Sequence, residues 1–346
     1  MKYFYIPENK IYCDYLKCKC KVKYDLVEKS VNNWEELKIT IEQFKNGGGV
    51  YVYENCYLVE CLKVYLNSEN NNNIYNANST ININNYQNIH LISQKNEIII
   101  KRDKTFLDFP LFTIENGFLT LGEENMAGKI IIDGNKENIT CNSNLIRLRN
   151  TMLTIYDNII LCNHLYKITK LPENYFGYGS TIVADRFSYI NMYGGEISNN
   201  AQEMNINKNM EEGVLPEVMG TNYSYDVRGT AIYLQNSTLN VFGGKICNNE
   251  GINNSEIYSN ENSTNGAYSL DQRLLGSVIF SENCSKVNLY KGEISDNIAI
   301  NNSKTNIISP KNGKTTNISN LNSCIYGSVL YISNSLLTMN NDFIIS

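Results

Sequence analysis

Short blocks of alternating apolar and polar residues recur along this chain in a fixed order from about residue 109 to the C-terminus. The first block reads GSTIVADR from Gly179, GTAIYLQN from Gly229, GSVIFSEN from Gly276 and GSVLYISN from Gly327, with degenerate copies opening at Phe109 and Ser143. The second reads LTIYDNIILCN from Leu153, INMYGGEISNN from Ile190, LNVFGGKICNN from Leu239, VNLYKGEISDN from Val287 and LTMNNDFIIS from Leu337. A period of two is the signature of a half-buried strand, not of a helix. It assigns Phe112, Ile146, Ile182, Ile232, Ile279 and Leu330 to one inward column. The pairs Leu153 and Ile155, Ile190 and Met192, Leu239 and Val241, Val287 and Leu289, Leu337 and Met339 form another. A Gly-Gly then breaks the strand, and a third short strand carries Ile160, Ile197, Ile246, Ile294 or Ile344. Three strands repeated every twenty-two residues or so predict an all-β fold, a right-handed single-stranded parallel β-helix with equivalent strands about 4.8 Å apart.

Asparagine punctuates the turns. Asn116, Asn150, Asn236, Asn283 and Asn334 close the first strand, with Arg186 interrupting the series; Asn163, Asn200, Asn249 and Asn297 close the third. Asn tolerates left-handed backbone angles, and stacked amides hydrogen-bond along an axis, so these positions are expected to be structural ladders. The linkers from Asn163 to Gly179, Asn200 to Gly229, Asn249 to Gly276 and Asn297 to Gly327 all leave from one turn, which predicts long loops on one edge of the solenoid.

The pattern changes toward the N-terminus. In NWEELKITIEQFKN, Trp34, Leu37, Ile41 and Phe44 share one helical face, with Asn33 as N-cap, Glu36 three residues later and Gly47 as a stop. Such a helix is expected to plug the first rung. Stretches at 49–53, 80–83, 89–92 and 97–100 read as early rungs in poor register. The chain therefore divides into an N-terminal extension (1–32), a capping helix with irregular first rungs (33–108) and regular rungs with edge insertions (109–346).

Composition narrows the function. The chain has 346 residues and is 42% hydrophobic, enough for a real core, while only 19% of residues are charged and the formal net charge is -5. Phosphate neutralisation needs a basic face, so nucleic acid is excluded as an expected partner. No segment resembles a signal h-region or reaches the length of a membrane span. The cysteines, Cys13, Cys18, Cys20, Cys56, Cys61, Cys141, Cys162, Cys247, Cys284 and Cys324, are scattered and lack the paired spacing of a zinc ribbon, so no metal or other cofactor is expected.

Hydrolysis or elimination on a sugar polymer needs convergent acid, base or metal groups. The histidines, His90 and His164, read as structural or solvated. Arg147 and Arg149 point outward beside Asp133 and Asp157, a single basic and acidic group that reads as a solvated face. More suggestive are outward aromatics in equivalent positions: Tyr233, Phe280 and Tyr331 after the first strand's inward residue, and Tyr156, Tyr193, Phe242 and Tyr290 after the second strand. One ring per rung is a candidate surface for sugars or a protein partner, unless the edge loops fold over it as a second core.

The alternation of Gly-Gly-x-Ile-x-x-Asn with Gly-Ser-x-Ile resembles the β-helix repeats of bacterial adhesin-like surface proteins, related in pattern to polymorphic outer-membrane proteins. The stretch NWEELKITIEQFKNGGGVYV resembles the capping helix and first strand of pectate-lyase-like folds. The resemblance covers most of the chain from Asn33. It implies a cell-surface or extracellular, non-catalytic β-helix for adhesion or structural display, binding glycans or a surface protein, or alternatively a polysaccharide lyase or glycoside hydrolase of that fold. The spacing from Leu337 puts the next turn asparagine just after Ser346, which predicts an uncovered last rung completed by further chain or by end-to-end association.

Overall fold

A computed structural model of the chain describes residues 3–6, 10–13, 23–44, 51–53, 56–68, 73–169, 180–209, 221–224, 226–259, 266–307 and 316–346. Side chains are described for 26–44, 61–68, 73–169, 180–207, 226–258, 272–306 and 323–346. The fold is a parallel β-helix. Its first sheet stacks seven strands, from Ile81–Ile83 through Phe112–Glu115, Ile146–Arg149, Ile182–Asp185, Ile232–Gln235 and Ile279–Glu282 to Leu330–Ile332. The expected column holds residue for residue: Phe112, Ile146, Ile182, Ile232, Ile279 and Leu330 lie opposite one another, and Ile81 extends it by one rung. The second sheet aligns Leu153, Ile190, Leu239, Val287 and Leu337 in the same way. These columns, with the third sheet's Ile98, Ile130, Leu161, Ile197, Ile246 and Ile294, form one continuous buried core. Apolar residues on alternate positions of three sheets face a common lumen, and their removal from water drives the coil to close.

Four expectations need correction. The early rungs are regular: Ile81–Ile83, Asn88–Ile92 and Glu97–Arg102 stack in unbroken register on the rung that follows. In the rung containing Tyr156, one extra residue follows Asn158. Leu161, not Ile160, therefore faces Ile197, and at the last rung Ile345, not Ile344, faces Ile294. The edge insertions are themselves β-structure, so later rungs carry up to six strands instead of three. Leu165–Ile168, Ala201–Met204, Glu250–Asn253 and Ile298–Asn301 form a fourth parallel sheet. Beyond it, Asn207–Asn209, Glu256–Ser259 and Lys304–Ile307 form a fifth. Return strands Gly266–Leu275 and Thr316–Tyr326 pair in a sixth, which leads back into the first sheet. Equivalent turn residues stand 34 apart at Asn116 and Asn150 but 49 apart at Ser188 and Ser237. The extra sheets make a lateral wing.

Fourth, the turn asparagines divide two jobs that the sequence seemed to give to one residue. At the end of the first strand, Asn116, Asn150, Asn236, Asn283 and Asn334 all have φ between 45° and 54°, and Arg186 has φ 55°. These are left-handed turn residues at the surface; Asn150 donates to Asn116 at 2.6 Å. After the third strand the left-handed positions are Asn163, Asn199, Asn248 and Asp296. The buried ladder is the neighbouring residue: Asn200 donates to Asn249 at 2.9 Å, and Asn249 to Asn297 at 3.0 Å. Asn163 thus pairs with Asn199, and His164 occupies the buried ladder's place in its rung.

At the N-terminal end, helix α1 spans Trp34–Gln43. Asn33 caps it by accepting the Glu36 N–H at 2.9 Å, while Glu36 accepts the Asn32 N–H at 2.8 Å. Trp34, Leu37 and Ile41 are buried, and Trp34 meets Phe112 edge to face at 5.5 Å. Gln87 binds the carbonyls of Ile41 and Phe44, the last of the helix. The helix covers the lumen at this end, and Lys23–Val31, in the region expected to be an extension, adds a parallel strand to the second sheet. Gly47 lies outside the described residues. Among the described residues no helix is long and apolar enough to cross a membrane. In the last rung Leu337 is 41% and Met339 54% exposed, against 0% for Val287 and Leu289 one rung below.

Candidate functional site

The outward face of the second sheet carries the most regular surface chemistry. Because Leu153 and Ile155 point inward, Thr154 and Tyr156 point out, and parallel register repeats this in each rung. Tyr156, Tyr193, Phe242 and Tyr290 form a stack with centroids 5.3, 4.9 and 4.9 Å apart and planes within 16°, 12° and 5° of parallel. The Gly-Gly after the ring lets the rungs come this close: at Gly244, with φ 93°, a Cβ would stand 2.6 Å from the Gly195 carbonyl oxygen. Exposure is least at Tyr156, 7% exposed, and greatest at Phe242, 37% exposed, while Tyr193 and Tyr290 are half-buried. Burial pushes the Tyr193 hydroxyl's pKa up. Beside the rings runs an amide ladder, Asn191 to Asn240 to Asn288, each step 2.8 Å.

The stacking decides what this face can do. Tyr193 and Phe242 spend both faces on the rings above and below, and Tyr156 and Tyr290 one face each, so most of the column shows ring edges outward. Sugar recognition by ring stacking needs a free face; contact with another protein's side chains does not.

The first-sheet column has a different fate. Tyr233, Phe280 and Tyr331 also stack, at 5.3 and 5.2 Å. Tyr233 and Phe280 are 1% and 2% exposed, packed with Val183 and with Leu275 of the returning strand, while Arg228 lies over the Phe280 ring at 5.2 Å. Tyr233 binds Glu282 through its hydroxyl. The wing makes this column a second core, and only Tyr331 is half-exposed.

The charged groups that a lyase or hydrolase would need do not converge. Arg147 and Arg149, on the first sheet, lie 3.7 and 3.5 Å from Asp185. Asp133 ends a third-sheet strand and accepts the Asn135 N–H at 2.7 Å; Asp157 sits in the turn packed against Gly194. His90 bonds the Gly122 carbonyl at 2.7 Å, and burial lowers its pKa. Burial raises the Cys61 thiol to about 11 and Cys162 to about 12, which keeps both protonated and unreactive at neutral pH. Among the described residues no three His, Cys, Asp or Glu groups gather around a metal-sized site. The side chains of Cys13, Cys18, Cys20 and Cys56 lie outside the described residues.

Sequence reasoning missed two features. Asp226, fully buried, is shared by Arg228 at 3.0 Å and Arg273 at 2.8 Å, tying together two successive rungs of the sixth sheet. The ladder of Asn191, Asn240 and Asn288 was legible as the residue between the two inward positions of the second block. Compared with known protein families, curated proteins and solved structures, the chain matches none.

Proposed function

We propose that this chain is a non-catalytic β-helix for adhesion or structural display, which meets a protein partner along the outer face of the second sheet. The observation that carries this reading is the aromatic column of Tyr156, Tyr193, Phe242 and Tyr290, lined by the amide ladder of Asn191, Asn240 and Asn288. Four stacked rings on an exterior face are not needed to close the lumen, and aromatic edges with amides suit the centre of a protein contact. The pattern's resemblance to adhesin-like surface repeats supports the same reading and a surface location. A protein partner is preferred to a glycan because both faces of Tyr193 and Phe242, the middle of the column, are already occupied. A lyase or hydrolase is disfavoured because Arg147, Arg149, Asp185, Asp226, Arg228 and Arg273 are engaged with one another.

The test compares the wild type with a Phe242→Ala, Tyr290→Ala variant of unchanged circular dichroism. Both are assayed for adherence to immobilised host-surface and matrix proteins and to a glycan array, with and without calcium. Adherence to protein that the double variant loses is the expected result. Release of new reducing ends from a polysaccharide, or adherence untouched by the double variant, would overturn it.

A further inference from the structure

His164 stands where the wing leaves the main coil, between the third-sheet strand Ile159–Cys162 and the first wing strand, Leu165–Ile168. In the next rungs the same place is held by Asn200, Asn249 and Asn297. His164 joins that ladder only through its backbone, donating to Asn200 Oδ1 at 3.0 Å. Its imidazole is fully buried, and neither ring nitrogen has a hydrogen-bond partner. A neutral ring tolerates this at modest cost; an imidazolium, with two donors and a charge, does not.

The surroundings sharpen the contrast. From the strand Glu97–Arg102 comes Arg102, 1% exposed, whose guanidinium bonds the carbonyls of Phe106, Phe109 and Asn144, with no carboxylate partner among the described residues. Cys141, bridged to Tyr166, and Cys162 are held neutral by burial, and burial raises the Tyr166 hydroxyl as well. Asp133 is engaged with the Asn135 N–H, and Lys136 with Asn199. The next rung offers Asn200, an amide already committed to Asn249. Protonating His164 therefore puts a second cation beside Arg102 with nothing anionic to offset it.

The strand that follows lies at an edge of its sheet. Leu165–Ile168 is paired with Ala201–Met204 on one side, and on the other only a single residue, Cys141, bonds its backbone, at Leu165 and Lys167. We propose that His164 is an acid-sensitive latch: protonation of its ring releases Leu165–Ile168 and opens the base of the wing, uncovering Ile168 and Met204. Burial, and after it the Arg102 charge, hold the folded His164 well below the ordinary value of 6.5. The open state, where the ring titrates normally, thus takes up the proton first. The latch is fully closed above pH 6.5 and weakens as pH falls below it, by about tenfold in the closed-to-open ratio per pH unit.

Hydrogen exchange on the full chain tests this, read as protection factors corrected for intrinsic rates. Between pH 7.5 and 5.0, protection at 165–168 is expected to fall by at least tenfold, while the lumen strands of the first sheet keep theirs. His164→Asn, which supplies the ladder's own amide, is expected to abolish the fall, and His90→Asn, the chain's other histidine, to leave it intact. Unchanged protection at 165–168, or an equal fall in His164→Asn, would overturn the latch. Should His164→Asn not fold, a ring-carbon NMR titration of the wild type decides: a second histidine titrating reversibly near 6.5, with 165–168 still protected, would overturn it equally.

Discussion

Replacing Asn249 by leucine keeps the branching of the side chain and removes every polar contact of the most heavily used amide in the buried ladder. Asn249 Oδ1 accepts the Asn200 N–H at 3.2 Å and its Nδ2–H at 2.9 Å. Its Nδ2 group donates to the carbonyls of Ile197 and Cys247 at 3.1 and 3.0 Å and to Asn297 at 3.0 Å. The residue is 0% exposed, so water cannot replace any of these. Asn200's backbone N–H is left with no acceptor, and its Nδ2 group keeps only the longer bond to the Leu161 carbonyl at 3.3 Å. Two orphaned buried donors cost about 1–3 kcal/mol each, so the variant is expected to lose about 2–6 kcal/mol. Asn248→Leu is the control. That residue is exposed with φ 54°, so only the left-handed backbone term of about 1–2 kcal/mol is at stake. Urea unfolding followed by circular dichroism, with exchange protection at 196–200 as a local readout, measures both. A loss at Asn249 no larger than at Asn248 would show that turn geometry, and not the amide ladder, fixes this corner.

Further consequences are open to measurement. Gly276→Ala should lower the melting temperature by many degrees, because φ is 54° and a Cβ would stand 2.3 Å from the Ile279 carbonyl oxygen; an unchanged melt would contradict the corner geometry. Asp226→Ala leaves two half-buried guanidinium groups facing each other and should cost about 3–5 kcal/mol in chemical denaturation, with Asp226→Glu recovering part of it. Phe242→Ala removes a ring stacked on both sides and should cost about 1–3 kcal/mol, a loss that Phe242→Tyr does not share. Trp34 is the chain's single tryptophan and 2% exposed, so its emission should be blue-shifted and shielded from acrylamide; a solvent-like spectrum in the folded protein would mean that the helix does not cover the lumen.

The regular core was legible because strand alternation and parallel stacking both act on neighbouring letters. Ile182, Ile232 and Ile279 share one pattern and end opposite one another. Register was less legible where a rung gains one residue: nothing in LTIYDNIILCN distinguishes Ile160 from Leu161 until Asn158 is seen to take the left-handed turn that Gly195 takes in the next rung. The wing was misread for a different reason. Its strands, such as Glu250–Asn253 and Lys304–Ile307, are short and polar, and they gain their regularity from the equivalent strand one rung away, a contact with no local signature. The same cause separates the two aromatic columns. Tyr233 and Phe242 look alike in sequence, and only the returning strand with Leu275 decides that the first is buried and the second is not.

The longer stride of the wing rungs bears on how such a coil can change its girth. Closing a rung of 49 residues instead of 34 costs only about 0.3 kcal/mol more in chain entropy, since the penalty grows with the logarithm of loop length. Lengthening is therefore nearly free at the moment of closure, and what a longer rung requires is a neighbour of matching length. A lone extension would hang an unpaired strand in water, whereas adjacent extensions lay theirs together, as Ala201–Met204 does with Glu250–Asn253. Growth of this kind proceeds by neighbouring rungs together, and it leaves two boundary strands in the fourth sheet, Leu165–Ile168 and Ile298–Asn301, each with a wing neighbour on one side only.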